Sequence, residues 1–390
     1  MTTNIDSGKE DSGTKIPERK CMDSPVEKIE ARTPLYESQK ALGAKFDSFF
    51  GWEMAATYDD PCVEHKQVRE HVGLIDLSSH GAVLVGGKES VQFLNGLVTN
   101  DVKILSAGHG IRAAFLTGHG KVKALCRILG LDDQYLVIND PQTHKKVWDY
   151  VFPFTYAGDF KAEDASAQYR ILSVQGPAAL SVMKEVCFEP IPALGEHDWV
   201  KTIVGGQEVI VARASHTGEI GYDLLVPQEG IGDVWDFLLM KGEFHGIRPF
   251  GFAALDTLRI EAGIPVYGVD VDESNMMLET GLADAVSFQK GCYTGQEAVA
   301  MATYRGHVSK RLSGLVVSSD RVPASRDKVT WPETGKEIGY ITSALASQTL
   351  GKTIALAYVK YGFFEPGSAV EVRSADQVLT ATVTQLPFSR

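Results

Sequence analysis

The chain has 390 residues, 44% of them hydrophobic and 23% charged, which allows two or three domains with full cores. A net charge of −12 works against nonspecific binding to nucleic acid or to an anionic membrane, because the field of the whole molecule repels polyanions. No apolar run reaches bilayer-spanning length, so no membrane partner is expected.

The first 30 residues mix acids and bases around small polar residues and lack the apolar stretch of a signal peptide. They read as a solvated tail that buries too little apolar surface to offset ordering. The five cysteines, Cys21, Cys62, Cys126, Cys187 and Cys292, are odd in number, scattered and free of any CxxC pair. That pattern argues against a disulfide framework or a four-cysteine metal site, and it fits reduced thiols in a cytoplasm.

Folded chain is expected from about Thr33. A helix is predicted over 63–71, ending before a turn at Gly73. It carries Cys62 one turn before His65, and His71 beyond Arg69; two such residues do not complete a metal site. Beyond it two stretches resemble each other. LVGGKESVQFL at 84–94 matches SVQGPAALSVM at 173–183, with Gly87 opposite Gly176. YLVINDPQTHKKVWDYV at 135–151 matches YDLLVPQEGIGDVWDFL at 222–238, with Trp148 opposite Trp235. Both matches recur at a spacing of roughly 90 residues, the mark of a duplicated strand–turn–helix unit. The halves are expected at about 31–165 and 166–306, with a ligand cleft between them. From 307 to 390 the runs LSGLVV, IGYITSAL, TIALAYVK, AVEVRS and VLTATVTQL are short, β-branched and punctuated by turn residues, as in a small barrel or sandwich.

Four segments carry candidate chemistry. The first is KGCYTGQE at 290–297. Gly291 and Gly295 bracket Cys292 and indicate a tight, exposed turn. Lys290 lies two residues before the thiol, and Arg305 and Lys310 follow; cations converging there favour a thiolate. The alternative is an inert cysteine in a structural turn.

KGCYTGQE, its continuation EAVAMATYRGHVSKRLSGL and the upstream LRIEAGIPVYGVDVDESNMMLETGLADAVSF resemble the YgfZ branch of the glycine-cleavage T-protein superfamily. EHKQVREHVGLIDLSSHG and GYITSALASQTLGKTIALAYV are similar to T-proteins as well, so the likeness covers nearly all of 33–390. It implies an α+β fold: duplicated folate-binding halves and a C-terminal β-barrel in a three-lobed ring, with tetrahydrofolate in the central channel. It further implies an accessory role in iron–sulfur cluster assembly or repair, with iron–sulfur client proteins as partners. In that role Cys292 handles redox or sulfur chemistry, within a motif completed by Lys290, Gly291, Tyr293, Gly295, Gln296 and Glu297. The alternative implied by the same superfamily is a tetrahydrofolate-dependent aminomethyltransferase or other one-carbon transferase.

The second segment, HTGEIGYD at 216–223, is similar to the T-protein stretch whose glutamate hydrogen-bonds the pterin, which gives that role to Glu219 and a supporting one to Tyr222. A carboxylate accepts two N–H bonds from an amino-pyrimidinone edge in one plane. His216 stands where T-proteins have tyrosine. The third, ALDTLRIEAG at 254–263, has Leu255 in place of the T-protein ligand arginine; Arg259 remains, read either as a ligand contact or as a surface partner of Asp256 or Glu261. Arg390, in the terminal PFSR, resembles the T-protein ending that offers an arginine to the ligand. The fourth is informative by omission. The T-protein aspartate that assists one-carbon transfer falls on Ala124 or Leu125, and no acid lies between Phe115 and Gly130. Neither side chain acts as a base. Asp101 in LVTNDV is the nearest acid and reads first as a turn residue or cap.

Overall fold

A computed structural model describes residues 29–388. The expected tail and Cys21 at one end, and Arg390 at the other, lie outside the described residues. Strands β1 (Ala31–Arg32), β2 (Lys45–Phe49) and β3 (Trp52–Thr57) form a small sheet ordered β1-β3-β2, with α1 (Tyr36–Ala41) between the first two in the chain. Helix α2 (Pro61–Glu70) begins with proline at its first turn, where the missing N–H costs nothing, and Asp60 accepts from the Cys62 amide at 2.7 Å. Strand β4 (Val72–Asp76) follows directly.

Two units of one pattern come next. The first runs β5 (Gly81–Gly86), α3 (Ser90–Leu97), β6 (Gly110–Leu116), β7 (Val122–Gly130), β8 (Gln134–Asn139), α4 (His144–Val151) and β9 (Lys161–Asp164). The second runs β10 (Arg170–Gln175), α5 (Ala179–Val186), β11 (Trp199–Val204), β12 (Gln207–Arg213), β13 (Gly221–Val226), α6 (Ile231–Gly242) and β14 (Ile247–Pro249). Their sheets are ordered β6-β7-β8-β5-β9 and β11-β12-β13-β10-β4-β14, the same order apart from the insertion of β4. Tyr135 pairs with Val85 in one and Tyr222 with Val174 in the other, so the duplication read from the sequence holds down to strand register. The two turn glycines have the same cause. Gly87 (φ 97°) and Gly176 (φ 134°) lie in the region L side chains avoid, and a Cβ would meet the Asp159 carbonyl at 2.2 Å or the His71 carbonyl at 2.6 Å.

Strand alternation decides what faces what. On β10, Leu172 and Val174 pack with Tyr222 and Leu224 of β13 against α5 and α6. Ile171 and Leu225, one step along, turn to the other face and meet Leu129, Leu136 and Ile138 of the first sheet. The two sheets therefore share one apolar layer, to which Phe252, Ala254 and Leu258 of α7 (Phe252–Glu261) add. After α8 (Gln296–Arg305) come β15 (Lys310–Val317), β16 (Lys328–Thr330), β17 (Glu337–Ser347), β18 (Lys352–Lys360), β19 (Ala369–Ser374) and β20 (Gln377–Thr384), closed into a six-stranded barrel. This is the α+β fold with a terminal barrel expected from the sequence. Ile260 of α7 packs against Leu312, Leu345, Ile354, Leu356 and Tyr358 of the barrel.

Candidate functional site

The 216–223 loop joins β12 to β13 and turns at Gly218 (φ 83°). It places Glu219 beside α2, where its Oε1 accepts from Nη1 of Arg69 at 2.8 Å. The same Arg69 nitrogen donates to the Thr217 carbonyl at 2.9 Å, and Nη2 donates to Oε2 of Glu261 at 2.8 Å. Glu261 is wholly buried at the end of α7. It accepts from His65 Nε2 at 2.8 Å and from the barrel hydroxyls of Ser347 at 2.6 Å and Thr349 at 3.0 Å. Burial alone pushes this carboxyl up, but the His65, Ser347 and Arg69 hydrogen bonds outweigh it and hold the pKa at about 2. A Glu261 that is ionised at neutral pH thus fixes Arg69, and Arg69 fixes Glu219. The Glu219 side chain stays 28% exposed, and among the described residues Arg69 is the only side chain bonded to its carboxylate. Nε2 of His65 is bonded to Glu261, and among the described residues no hydrogen bond joins His65 to Cys62.

A second polar group lies where the two sheets face each other. Alternation on β13 turns Asp223, not Tyr222, toward the first sheet. Tyr222 is 2% exposed in the core behind the second sheet, and this corrects the expectation of a ligand contact from it. Asp223 is fully buried and accepts from Arg127 Nη2 of β7 at 2.5 Å, from Ser173 Oγ at 2.6 Å and from His216 Nε2 at 3.0 Å. Because a carboxylate only accepts, Nε2 of His216 carries the proton. Burial opposes ionisation of Asp223, but His216 and Arg127 overcome it and hold the carboxyl below the usual range. Gln175 joins the two groups: its Nε2 donates to Ser173 Oγ at 2.8 Å, and its Oε1 accepts from the His216 amide at 3.0 Å and the Thr217 hydroxyl at 3.2 Å. One continuous network therefore runs from His65 to Arg127. Around it stand His80, pushed down to about 4 by burial and the charges of His216 and Arg127, and Asp140, raised to about 6 by burial against the pull of Arg127 and His216. The two ring-bearing and acidic groups are 3.7 Å apart. Asp223, His80 and Asp140 lie within stretches the sequence singles out, but no motif gives them or Arg127 a role.

The other expected residues lie elsewhere. Arg259 is neither at a ligand site nor at the surface. It is buried, with Nε on Asp256 at 2.7 Å, Nη1 on Asp270 at 2.7 Å and Nη2 on Ser343 of the barrel at 3.1 Å. Every guanidinium nitrogen is committed to the protein. Lys290 is likewise buried, and its ammonium donates to the carbonyls of Asn95, Val98 and Asn100 at 2.6–2.8 Å, closing the end of α3. Burial lowers it to about 8 despite Asp101 nearby. It is thus bonded to the chain rather than to the thiol of Cys292, which is exposed. Tyr293 is buried beside Met277 and Val299, and Gly295 (φ 82°) caps α8, where a Cβ would meet the Thr117 carbonyl at 2.6 Å. Gln296 Nε2 reaches the Gly291 carbonyl at 3.4 Å, and Glu297 lies in the first turn of α8. Among the described residues, no hydrogen bond or ion pair joins this motif to the Glu219 network. Ala124 is buried under the helices of the first sheet, and Leu125 packs near Leu116 and Val122.

The GCVT N-terminal domain model matches residues 35–290, and the glycine cleavage T-protein C-terminal barrel domain model matches 310–389. The chain belongs to the glycine cleavage T-protein family. The aminomethyltransferase of Moorella thermoacetica is 33% identical over 363 residues, covering 92% of this chain and 98% of that one. That of Halothermothrix orenii is 31% identical over 364 residues, covering 92% and 99%. The crystal structure of the glycine cleavage system aminomethyltransferase T from Bartonella henselae superposes with a TM-score of 0.84 over 92% of this chain and 97% of that one; at 24% identity this likeness speaks for the fold. Among the described residues, no helix is long and apolar enough to cross a membrane.

Proposed function

We propose that this T-protein family member is a tetrahydrofolate-dependent one-carbon transferase of the aminomethyltransferase type. The observation that carries this reading is the presentation of Glu219: a half-open carboxylate, one oxygen pinned by Arg69 and the other left for a ligand. That geometry fits the amino-pyrimidinone edge of a pterin, because a preset acceptor needs no rearrangement to take its N–H groups. Matches along nearly the full length of aminomethyltransferases support the same reading. The iron–sulfur accessory role rests on the likeness of KGCYTGQE and its flanking stretches to the YgfZ branch. There the structural functions of Lys290, Tyr293 and Gly295 account for those side chains without any cluster chemistry.

The resemblance puts the family's aspartate at Ala124 or Leu125, neither of which carries a proton, so proton handling at the folate falls to other groups. Asp140, 29% exposed at the seam and 3.7 Å from His80, is the candidate for that role. The test is calorimetric titration of the full chain with tetrahydrofolate, alongside turnover assays in which the folate product is followed by absorbance. Binding that Glu219→Ala weakens, with folate consumed catalytically, supports the proposal. A wild-type chain that does not bind tetrahydrofolate overturns it.

A further inference from the structure

We propose that the open end of the seam between the two sheets, built by Arg127 with His197 and His216, binds the carboxylate of a small organic acid as the second substrate of the transferase. The inference rests on the one-carbon transferase reading and names the class of its donor.

The argument turns on which polar groups the protein leaves unspent. Asp223, the one fully buried acid of the seam, is saturated by Arg127, His216 and Ser173. Arg127 commits Nη2 to it, while Nη1, also buried, has no hydrogen-bond partner among the described residues. His197 is 6% exposed and held at φ 69°, and neither of its ring nitrogens has a partner among the described residues. His197 donates its amide to the Arg213 carbonyl at 2.9 Å, one residue from Ala212, the register partner of Asp223, and its own carbonyl lies against Gly110, which pairs with Leu129 two residues from Arg127, so it sits at the same seam. Burial and the charges of Arg127 and Arg112 keep it neutral, with a pKa near 3, so one ring nitrogen donates and the other accepts. Buried polar atoms are nearly always paired, so orphans clustered in one place mark a position for a guest. The orphans here include a guanidinium fork arm, and what it lacks is an acceptor that carries negative charge.

Access is present. Arg127 is 13% exposed, His80 18%, His216 23% and Asp140 29%, so the cluster opens outward at one side rather than closing as a core. The chain has also lost the acid that the family resemblance places on this strand. The resemblance puts that acid at Ala124 or Leu125; Arg127, two residues beyond Leu125 on the same face of β7, brings a cation to the seam instead.

The experiment uses the full-length protein at fixed ionic strength, with acetate, methoxyacetate and benzoate as probes and acetamide, methoxyacetamide and benzamide as uncharged controls. The expected result is saturable binding of at least one acid, with its amide weaker by about tenfold or more, the loss of one charge-assisted hydrogen bond. His197→Phe is expected to weaken the acid, and Arg127→Gln to abolish it. Arg127→Gln leaves Asp223 without its cation and threatens folding, so the pair Arg127→Gln/Asp223→Asn, which keeps the seam neutral, is measured as well. Tetrahydrofolate affinity is measured in each variant and is expected to stay at the wild-type value in His197→Phe, whose ring makes no hydrogen bond to the Glu219 network among the described residues. Equal affinity for acid and amide, no saturable binding below about 50 mM (far above a weak specific complex), or full acid binding by the Arg127→Gln/Asp223→Asn protein overturns the proposal. Acid binding in a chain that ignores tetrahydrofolate sinks the transferase reading and leaves this site standing.

Discussion

Replacing Arg259 by methionine tests whether this residue serves a ligand or the architecture. The guanidinium is 4% exposed and lies between Asp256 on its own helix, fully buried Asp270, and Ser343 on the barrel. Methionine fills most of the volume but leaves the buried Asp270 carboxyl without its guanidinium partner. Two hydroxyls, Thr342 at 2.6 Å and Ser343 at 2.7 Å, still donate to its Oδ1, while Oδ2 keeps only the Val266 amide at 3.1 Å. Removing one partner of a buried pair typically costs about 3–5 kcal/mol. At roughly 2 °C per kcal/mol for a chain of this length, the thermal midpoint should fall by about 6–10 °C. Because no guanidinium nitrogen is spare, tetrahydrofolate affinity should change less than about twofold, a fraction of a kcal/mol. Scanning calorimetry and folate titration on the same preparation separate the outcomes. An Arg259→Met protein of wild-type stability that fails to bind folate refutes the structural role and restores Arg259 to the ligand site. Adding Asp270→Asn should return part of the lost stability, since the unpartnered carboxyl is then gone.

Three further outcomes follow from the same geometry. Glu219→Ala should cost about 1.5–3 kcal/mol of tetrahydrofolate affinity, the worth of one charged hydrogen bond, because Arg69 already holds the other oxygen; an unchanged dissociation constant removes Glu219 from the site. Glu261 has its folded pKa depressed from 4.5 to about 2, so its stabilisation is present above pH 4.5 and lost as pH falls toward 2. Denaturant midpoints should decline across that window, and Glu261→Gln should flatten the decline; equal slopes in both proteins contradict the assignment. Alkylation of the native chain followed by peptide mass analysis should modify Cys292 well before Cys126 and Cys187, which are buried and whose thiols burial pushes up. Cys292→Ser should alter stability by no more than about 0.5 kcal/mol, as for other exposed positions, and a larger loss means the thiol packs.

The duplication was readable because two backbone constraints repeat: a positive-φ glycine pressed against a carbonyl, and a tyrosine at the same register on the central strand pair. The barrel was readable because five of its strands are long, β-branched runs; β16, three residues beyond a turn-rich stretch, carries too little pattern to register. Insertion of β4 into the second sheet was hidden, since nothing in residues 72–76 says which edge they will join. The site divides the same way. Glu219 was found through a local stretch, whereas its support comes from Arg69, 150 residues earlier, and that of Glu261 from His65, 196 residues earlier. Neither reading of Arg259, as a ligand contact or as a surface partner, foresees its burial, because a helix covered on two sides, by the sheet layer and the barrel, puts charged side chains inside wherever they find partners.

The arrangement of charges gives a reason for the barrel to be there. Glu261 collects hydrogen bonds from α2 through His65 and Arg69, and from the barrel through Ser347 and Thr349. Its carboxylate stays ionised in a buried position because both sides contribute, and either set alone leaves oxygen lone pairs to the desolvation cost. Arg69 takes its orientation from that anion and passes it to Glu219 in a loop of the second sheet. The side chain proposed to meet the pterin is therefore held by three separate parts of the chain, none adjacent in sequence. This is how a loop residue acquires the rigidity a binding site needs, since each rotamer in the relay is locked by the next. The seam follows the same rule: Asp223 from one sheet orients Arg127 from the other, so the cation that remains available is positioned by the pairing of the two halves.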